Sequence, residues 1–295
     1  MKNSLPEVRR GKLKQDLQSK KHLRALEASN GLMGLIVEKA SAENKEFDAM
    51  WLSSLCDSAM KGKPDNEVVD FSSRVKTIEE IMEVTKKPII VDGDTGGAVE
   101  HFIWRVQTLE RMGVSAVVIE DKKGLKQNSL LEDCSVQILE EKEAFAEKIK
   151  QGKKHLKTQD FMIIARIESF IAGKDLEDAM SRADAYIKAG ADGIMIHSNK
   201  KDGKEVLEFM KKFKNQYKDV PLVVVPTMYH QYKDVELFKA GASIVIYANH
   251  MLRSAYQVMT SVARQILKEE CSKEVSESYC ASVEEILKVI GDSYD

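Results

Sequence analysis

Short apolar runs alternate along the chain with longer segments whose apolar residues recur at three- and four-residue spacing. Eight runs read as strands: His22–Ala28, Phe47–Ser54, Pro88–Val91, Val114–Ile119, Phe161–Ile167, Gly193–His197, Leu222–Val225 and Ala242–Tyr247. Most are β-branched and nearly continuous, the pattern of strands buried on both faces. Between them, Val75–Thr85, Glu100–Met112, Leu139–Lys150, Leu176–Ala189, Glu205–Lys214 and Val235–Ala240 carry helical periodicity. Gly113, Gly190 and Gly241 follow three of these helices, where glycine accepts the left-handed conformation that closes a helix. Eight strand–helix units predict an α/β fold, a (β/α)8 barrel. An open doubly wound sheet is the alternative, but no Gly-x-Gly-x-x-Gly follows the first strand.

Beyond the eighth strand, Met251–Lys268 is a long amphipathic helix and Glu269–Ala281 a polar linker. Ser282–Ile290 is a short helix opening with the box-like Ser282-Val283-Glu284-Glu285. The organisation is thus one barrel domain over residues 1–295 with a helical extension from about 251 to 295. A closed barrel needs one helix after its last strand, so the rest of the tail is available to another subunit.

Composition narrows the function. The 295 residues hold 45 Lys plus Arg against 47 Asp plus Glu, a net charge of −2 that lacks the basic excess of a nucleic-acid binder. No run approaches the ~20 apolar residues of a membrane span. The N-terminus, Met1-Lys2-Asn3-Ser4-Leu5-Pro6-Glu7, lacks the apolar run of a signal peptide. Cys56, Cys134, Cys271 and Cys280 form no Cys-x-x-Cys pair and read as free thiols of a cytoplasmic protein.

Polar residues concentrate at the C-terminal ends of the strands. They are Ser29 and Asn30; Ser53 and Ser54; Asp92 and Asp94; Glu120, Asp121 and Lys122; Arg166 and Glu168; His197 and Ser198; Thr227; Asn249 and His250. Active sites of such barrels lie on that face, where the variable loops converge. Singly, Asp92 or Asp94 reads equally as a helix N-cap, Trp51 equally as core, and His197 more often as a structural histidine. Lys122, Lys123 and Lys126 read equally as a solvated loop. Together, Asp92, Asp94 and Glu120 place three carboxylates at one mouth. Such a set needs a cation, and oxygen ligands favour Mg²⁺. Arg166, flanked by Ile164, Ala165 and Ile167, needs an anion, and its planar fork suits a carboxylate or phosphate.

Glu120-Asp121-Lys122, five residues, then Asn128-Ser129 resembles the signature of the phosphoenolpyruvate mutase family, within the isocitrate lyase/phosphoenolpyruvate mutase superfamily. Trp51-x-Ser53, Asp65, Asp92-Gly93-Asp94-Thr95-Gly96, Arg166-Ile167-Glu168-Ser169-Phe170-Ile171-Ala172-Gly173 and Met195-Ile196-His197-Ser198 follow the family in order over residues 20–265. The resemblance implies that Asp92 holds Mg²⁺, with Asp94 and Glu120 acting through bound water. Trp51, Ser53, Ser54 and Leu55 would line the pyruvyl end. Arg166, His197, Asn128 and Ser129 would contact phosphoryl and carboxylate groups. Asp65, Lys126 and Asn128 would sit on loops that close over the substrate. It further implies exchange of the last barrel helix between subunits in a homotetramer, a dimer of dimers. The implied reaction interconverts phosphoenolpyruvate and phosphonopyruvate, as in phosphonate biosynthesis.

The chain departs from the family at Ser54, usually glycine, in Cys56–Asn66, at Gly97, and at Gly124-Leu125, usually an aromatic–proline pair. Cys56–Asn66 still reads as a mobile, charged lid. Two other enzymes share the scaffold. Phosphonopyruvate hydrolases lack asparagine at the place of Asn128. The 2-methylisocitrate lyases carry a cysteine where this chain has Lys122-Lys123-Gly124-Leu125-Lys126, and Cys134 lies too far along. A metabolite-binding barrel without catalysis is the remaining alternative, one that has no use for a metal facing a cationic cluster.

Overall fold

Alternation along each strand decides which side chains enter the barrel and which face the helices. The computed structural model describes residues 4–20, 22–124, 126–130 and 137–291; Leu125 and Cys134 lie outside the described residues. Eight parallel strands close into a ring: β1 (Leu23–Glu27), β4 (Ala49–Leu52), β5 (Ile89–Asp92), β6 (Ala116–Glu120), β7 (Met162–Ile167), β8 (Gly193–Ile196), β9 (Leu222–Val224) and β10 (Ile244–Tyr247), which pairs back onto β1. Each falls on an expected run. The intervening β2 (Ser41–Ala42) and β3 (Lys45–Glu46) form a small antiparallel hairpin outside the ring.

One parity of residues fills the barrel: Ala49 and Trp51, Ala116 and Val118, Met162 and Ile164, Met195, Val223, Ile244 and Ile246 pack together in its interior. The other parity, including Met50, Val117, Ile119, Ile163, Ala165 and Ile194, packs outward beneath the helices. Each Val, Ile or Met among them contributes roughly 1.5–3 kcal/mol on burial. Continued to the strand ends, the inward parity reaches Asp92, Glu120, Arg166 and His197. The same alternation that builds the core therefore delivers the polar cluster to the barrel mouth.

The helices are α1 (Pro6–Ser19), α2 (Gly31–Lys39), α3 (Ser54–Met60), α4 (Phe71–Val84), α5 (Val99–Met112), α6 (Lys142–His155), α7 (Leu176–Lys188), α8 (Lys204–Gln216), α9 (Asp234–Ala240), α10 (His250–Glu269), α11 (Lys273–Ser278) and α12 (Val283–Ile290). Gly113 at φ 95° and Gly241 at φ 119° close α5 and α9 as expected. Four helices are absent from the sequence reading: α1, α2, α3 and α11. α1 is largely charged but sends Leu13 into the barrel interior. α3 occupies the first half of the expected lid, because the Ser53 hydroxyl caps it by accepting from the Cys56 amide at 3.4 Å. The expected linker Glu269–Ala281 contains α11, anchored by the buried Val275.

α10 buries none of its residues against the rest of the chain, and Tyr256 and Leu267 are 70% and 80% exposed. The Ser282–Glu285 capping box forms at the start of α12, which packs on α2, where Lys39 donates to the Val289 carbonyl at 3.1 Å.

Candidate active site

The turn after β5 brings two carboxylates together. Gly93 is required there: a Cβ would lie 2.7 Å from a Val117 methyl and 3.0 Å from the Val118 carbonyl oxygen. Asp94 takes φ 53°, a left-handed conformation that aspartate tolerates better than most residues. Its amide donates to Asp92 Oδ1 at 3.2 Å. Arg74 of α4 supports the turn from outside, donating to the Asp92 carbonyl at 3.0 Å and to Asp94 Oδ2 at 2.6 Å.

The inward side of these carboxylates meets an ammonium. Lys126 Nζ lies 2.8 Å from Asp94 Oδ1, 3.4 Å from Asp92 Oδ2 and 3.5 Å from Asp65 Oδ1, and it donates to Ser54 Oγ. Ser54 in turn donates to Asp92 Oδ2 at 2.7 Å. Burial pushes the Asp92 and Asp94 carboxyls up, but Lys126 and Arg74, with Arg166 acting on Asp92, outweigh it, leaving both below the usual carboxylate range. Burial equally opposes a charged Lys126, yet Asp92, Asp94, Glu120 and Asp65 hold its pKa well above the usual lysine value.

The opposite half is organised around Arg166 on β7. Its Nη1 lies 3.1 Å from Glu120 Oε2, its Nε donates to Glu168, and its Nη2 lies 3.0 Å from Ser129 Oγ and 2.9 Å from His197 Nδ1. Glu168 also accepts from Ser129 Oγ at 2.7 Å and lies 2.9 Å from His197 Nδ1. Lys122 Nζ lies 3.2 Å from Glu120 and donates to Ser129 Oγ at 2.8 Å. Burial pushes Glu120 up to about 7 against the pull of Arg166, Lys122 and Lys126. Burial also acts on Glu168, but Arg166 and His197 hold its carboxyl well below the usual range. Burial and Arg166 push His197 below the usual imidazole value, so the ring is neutral near pH 7. Its Nδ1 is engaged, which leaves Nε2 for a ligand.

A second layer fixes Glu168. Its amide donates to Asp121 Oδ1 at 2.9 Å, while Asp121 Oδ2 accepts from Tyr186 Oη at 2.7 Å and Arg182 at 3.1 Å. Asp121 and Glu168 are both fully buried. Above the mouth, Asn128 Nδ2 donates to Asp65 Oδ2 at 2.9 Å, joining the segment after β6 to the segment after α3.

Between the halves lies about 500 Å³ of free space, partly open to solvent. Trp51, Ser53, Ser54, Leu55, Asp65, Asp92, Lys126, Asn128, Ser129, Arg166 and His197 line it. Of the residues the sequence nominated, Asp94 and Glu120 do not line it; Asp94 is reached through Lys126 and Glu120 through Arg166. Trp51 Nε1, Thr227 Oγ1 and Asn249 Oδ1 are buried at this cavity without a hydrogen-bond partner among the described residues, a set of polar atoms ready for a ligand. Thr227 and Asn249 stood at strand ends without an assigned role. Glu168 was also left without one, although it shares the inward parity of Met162, Ile164 and Arg166.

Among the described residues, no three His, Cys, Asp or Glu side chains gather as a ready-made metal site. Glu120 is turned to Arg166 and Lys122 rather than to Asp92 and Asp94. The donor chemistry nonetheless fits a hard divalent cation. Ser54, Asp65, Asp92 and Asp94 direct only oxygen atoms at one point, where the Lys126 ammonium sits.

A family model described as phosphoenolpyruvate phosphomutase matches residues 13–267. The chain is 37% identical over 281 residues to the phosphoenolpyruvate phosphomutase of Tetrahymena pyriformis, spanning 95% of this chain and 90% of that protein. It superposes with a TM-score of 0.89 on the crystal structure of phosphoenolpyruvate phosphomutase from Streptomyces platensis subsp. rosaceus, at 33% identity over 95% of this chain and 94% of that one. A phosphonopyruvate hydrolase crystallised with oxalate and Mg²⁺ superposes with a TM-score of 0.86, at 32% identity over 97% and 95% of the two chains.

Proposed function

Because the chain belongs to the phosphoenolpyruvate phosphomutase family, we propose that it interconverts phosphoenolpyruvate and phosphonopyruvate. In the forward direction the bond from phosphorus to the enol oxygen breaks, and a bond from phosphorus to the methylene carbon forms. Nothing is added or lost, so every water molecule within reach is a competitor for the phosphoryl group.

The observation that carries this reading is the Asn128–Asp65 hydrogen bond at 2.9 Å, which spans the mouth above Arg166, Ser129 and His197. Arg166 and neutral His197 face the phosphoryl and carboxylate oxygens, where charge disperses in a loose transition state, and Ser129, whose hydroxyl donates to Glu168 and accepts from Arg166, lines the same end. Trp51, Ser53, Ser54 and Leu55 hold the pyruvyl end. Asp92 would hold Mg²⁺, with Asp94 and Glu120 acting through bound water. Bound Mg²⁺ supplies Lewis-acid stabilisation of the pyruvate enolate. Asp65, Lys126 and Asn128 exclude water during transfer.

The exposed apolar residues of α10 fit its exchange with a second copy in a homotetramer.

The hydrolase relative supports a second reading, in which the same cleft passes the phosphoryl group to water. A coupled assay separates the two. With phosphonopyruvate and Mg²⁺, lactate dehydrogenase alone detects the pyruvate made by a hydrolase. Detection of a mutase product requires pyruvate kinase and ADP as well. Signal that depends on pyruvate kinase supports the proposal; signal of equal rate without it refutes the proposal.

A further inference from the structure

We propose that the Lys126 ammonium is a built-in counter-ion of the acidic cradle, and that a divalent cation enters the cradle only as Lys126 leaves it. Metal loading and the position of the Lys126 ammonium are then one coupled event. The proposal rests on the reading of Asp92 and Asp94 as carboxylates of the metal site.

Three observations carry it. First, the ammonium is fully partnered at the point where a hard cation would be held. It donates to Ser54 and to Asp94, lies 3.4 Å from Asp92 and 3.5 Å from Asp65, and is buried. An ammonium and a divalent ion cannot share a cradle of this size, since both need the same oxygen atoms and repel each other.

Second, the cradle is poorly neutralised without it. Asp65, Asp92 and Asp94 converge there, and Arg74 pairs with the outward oxygen of Asp94 alone among them. Arg74 and Arg166 act on Asp92 from farther off, which leaves three converging carboxylates short of positive charge that Lys126 or a metal ion provides.

Third, Lys126 is attached in a way that permits withdrawal. Arg74 rises from α4 and Arg166 from β7, but Lys126 lies in neither helix nor strand. Gly124, at φ 80° with open space around it, lies two residues before it. Asn128, bonded to Asp65, lies two residues after it. Ser54, where the family usually has glycine, adds a hydroxyl that holds Lys126 and Asp92 together. That hydroxyl strengthens the counter-ion arrangement in this chain.

The test is calorimetric titration of Mg²⁺ into metal-stripped wild type, K126M and K126R, with thermal denaturation of each protein before and after loading. K126M, which keeps the length of the side chain and loses its charge, should bind Mg²⁺ roughly tenfold or more tightly than wild type. Its metal-free form should melt lower, and Mg²⁺ should raise its melting temperature more. K126R keeps the charge and should retain affinity near that of wild type. Binding by K126M that is equal to or weaker than that of wild type overturns the coupling and leaves the metal site standing. Failure of wild type and K126M alike to bind Mg²⁺ overturns the metal reading itself, and the proposal with it.

Discussion

The two halves of the cleft are both made of buried, paired charge, yet they anchor their central cation differently. Arg166 is part of the barrel wall: on β7 it stands in register with Glu120 of β6 and Met195 of β8. Its guanidinium is held by Glu120, Glu168, Ser129 and His197, and Glu168 is fixed in turn by Asp121, Arg182 and Tyr186. Lys126 reaches its carboxylates from an irregular segment. One half is preorganised, which suits recognition of a fixed anion at no reorganisation cost. The other is exchangeable, which suits an ion that comes and goes. The lesson is that burial and pairing alone do not define rigidity; the backbone that carries the charge does.

Breaking the rigid half should have the largest effect. Arg166→Ala leaves Glu120 and Glu168 buried without their main partner, at a cost of about 3–5 kcal/mol in stability. It should also lower kcat by on the order of 10²–10³, as expected for loss of a donor to developing charge. Arg166→Lys should rescue poorly, because a point charge replaces a fork that now meets four groups. Steady-state kinetics with urea denaturation checks both effects. An alanine variant with kinetics near wild type would make Arg166 purely structural.

Severing the clasp over the mouth should have a smaller effect, seen in catalysis. Asp65→Ala and Asn128→Ala each remove the Asn128–Asp65 hydrogen bond between the two closing segments, and Asp65→Ala also removes the ion pair of Asp65 with Lys126. Each should lower isomerisation by roughly ten- to a hundredfold through lost positioning, while stability stays within about 1 kcal/mol of wild type. Asn128→Ala should also release inorganic phosphate, measurable with molybdate. If both variants turn over normally, the clasp has no part in the reaction.

The rigid half was largely legible in the sequence, because strands buried on both faces announce themselves as continuous β-branched runs. Arg166 stood out as a charge inside such a run, and Glu120 and His197 as sequels to theirs. Strict alternation would also have carried the reading two residues on, from Arg166 to Glu168. In the exchangeable half Asp92 and Asp94 were legible as strand-end carboxylates, whereas the place of Lys126 was legible only as a resemblance. Nothing local to Lys126 tells it from Lys122 or Lys123, and its role depends on Ser54 and Asp92, 72 and 34 residues away. α1 was missed for a related reason: it buries little and contributes chiefly Leu13, so charged residues mask its pattern. α3 escaped because a strand-end serine doubles as its cap.

The smallest expected effect concerns a carboxylate apart from both halves. Glu27, at the end of β1, accepts from the Leu252 amide at 2.5 Å and so caps α10, which has no cap of its own. Burial pushes its pKa up to about 7, against the hydrogen bonds of Leu252, His250, Cys56 and Met251. The folded protein therefore holds this proton more tightly than the unfolded chain. Its contribution to stability is fully present below the ordinary glutamate value and is lost as pH rises through about 7. Glu27→Gln should flatten the dependence of the urea midpoint on pH between about 5 and 8. An unchanged slope would show that Glu27 does not titrate in this window.

The central claim is that the closed cleft returns the phosphoryl group to carbon or oxygen and withholds it from water. The most direct measurement is ³¹P NMR of the purified protein with phosphonopyruvate and Mg²⁺, followed to equilibrium. A growing phosphoenolpyruvate resonance is expected, with inorganic phosphate no higher than in an enzyme-free control. Inorganic phosphate as the main phosphorus product, with phosphoenolpyruvate absent throughout, would contradict it.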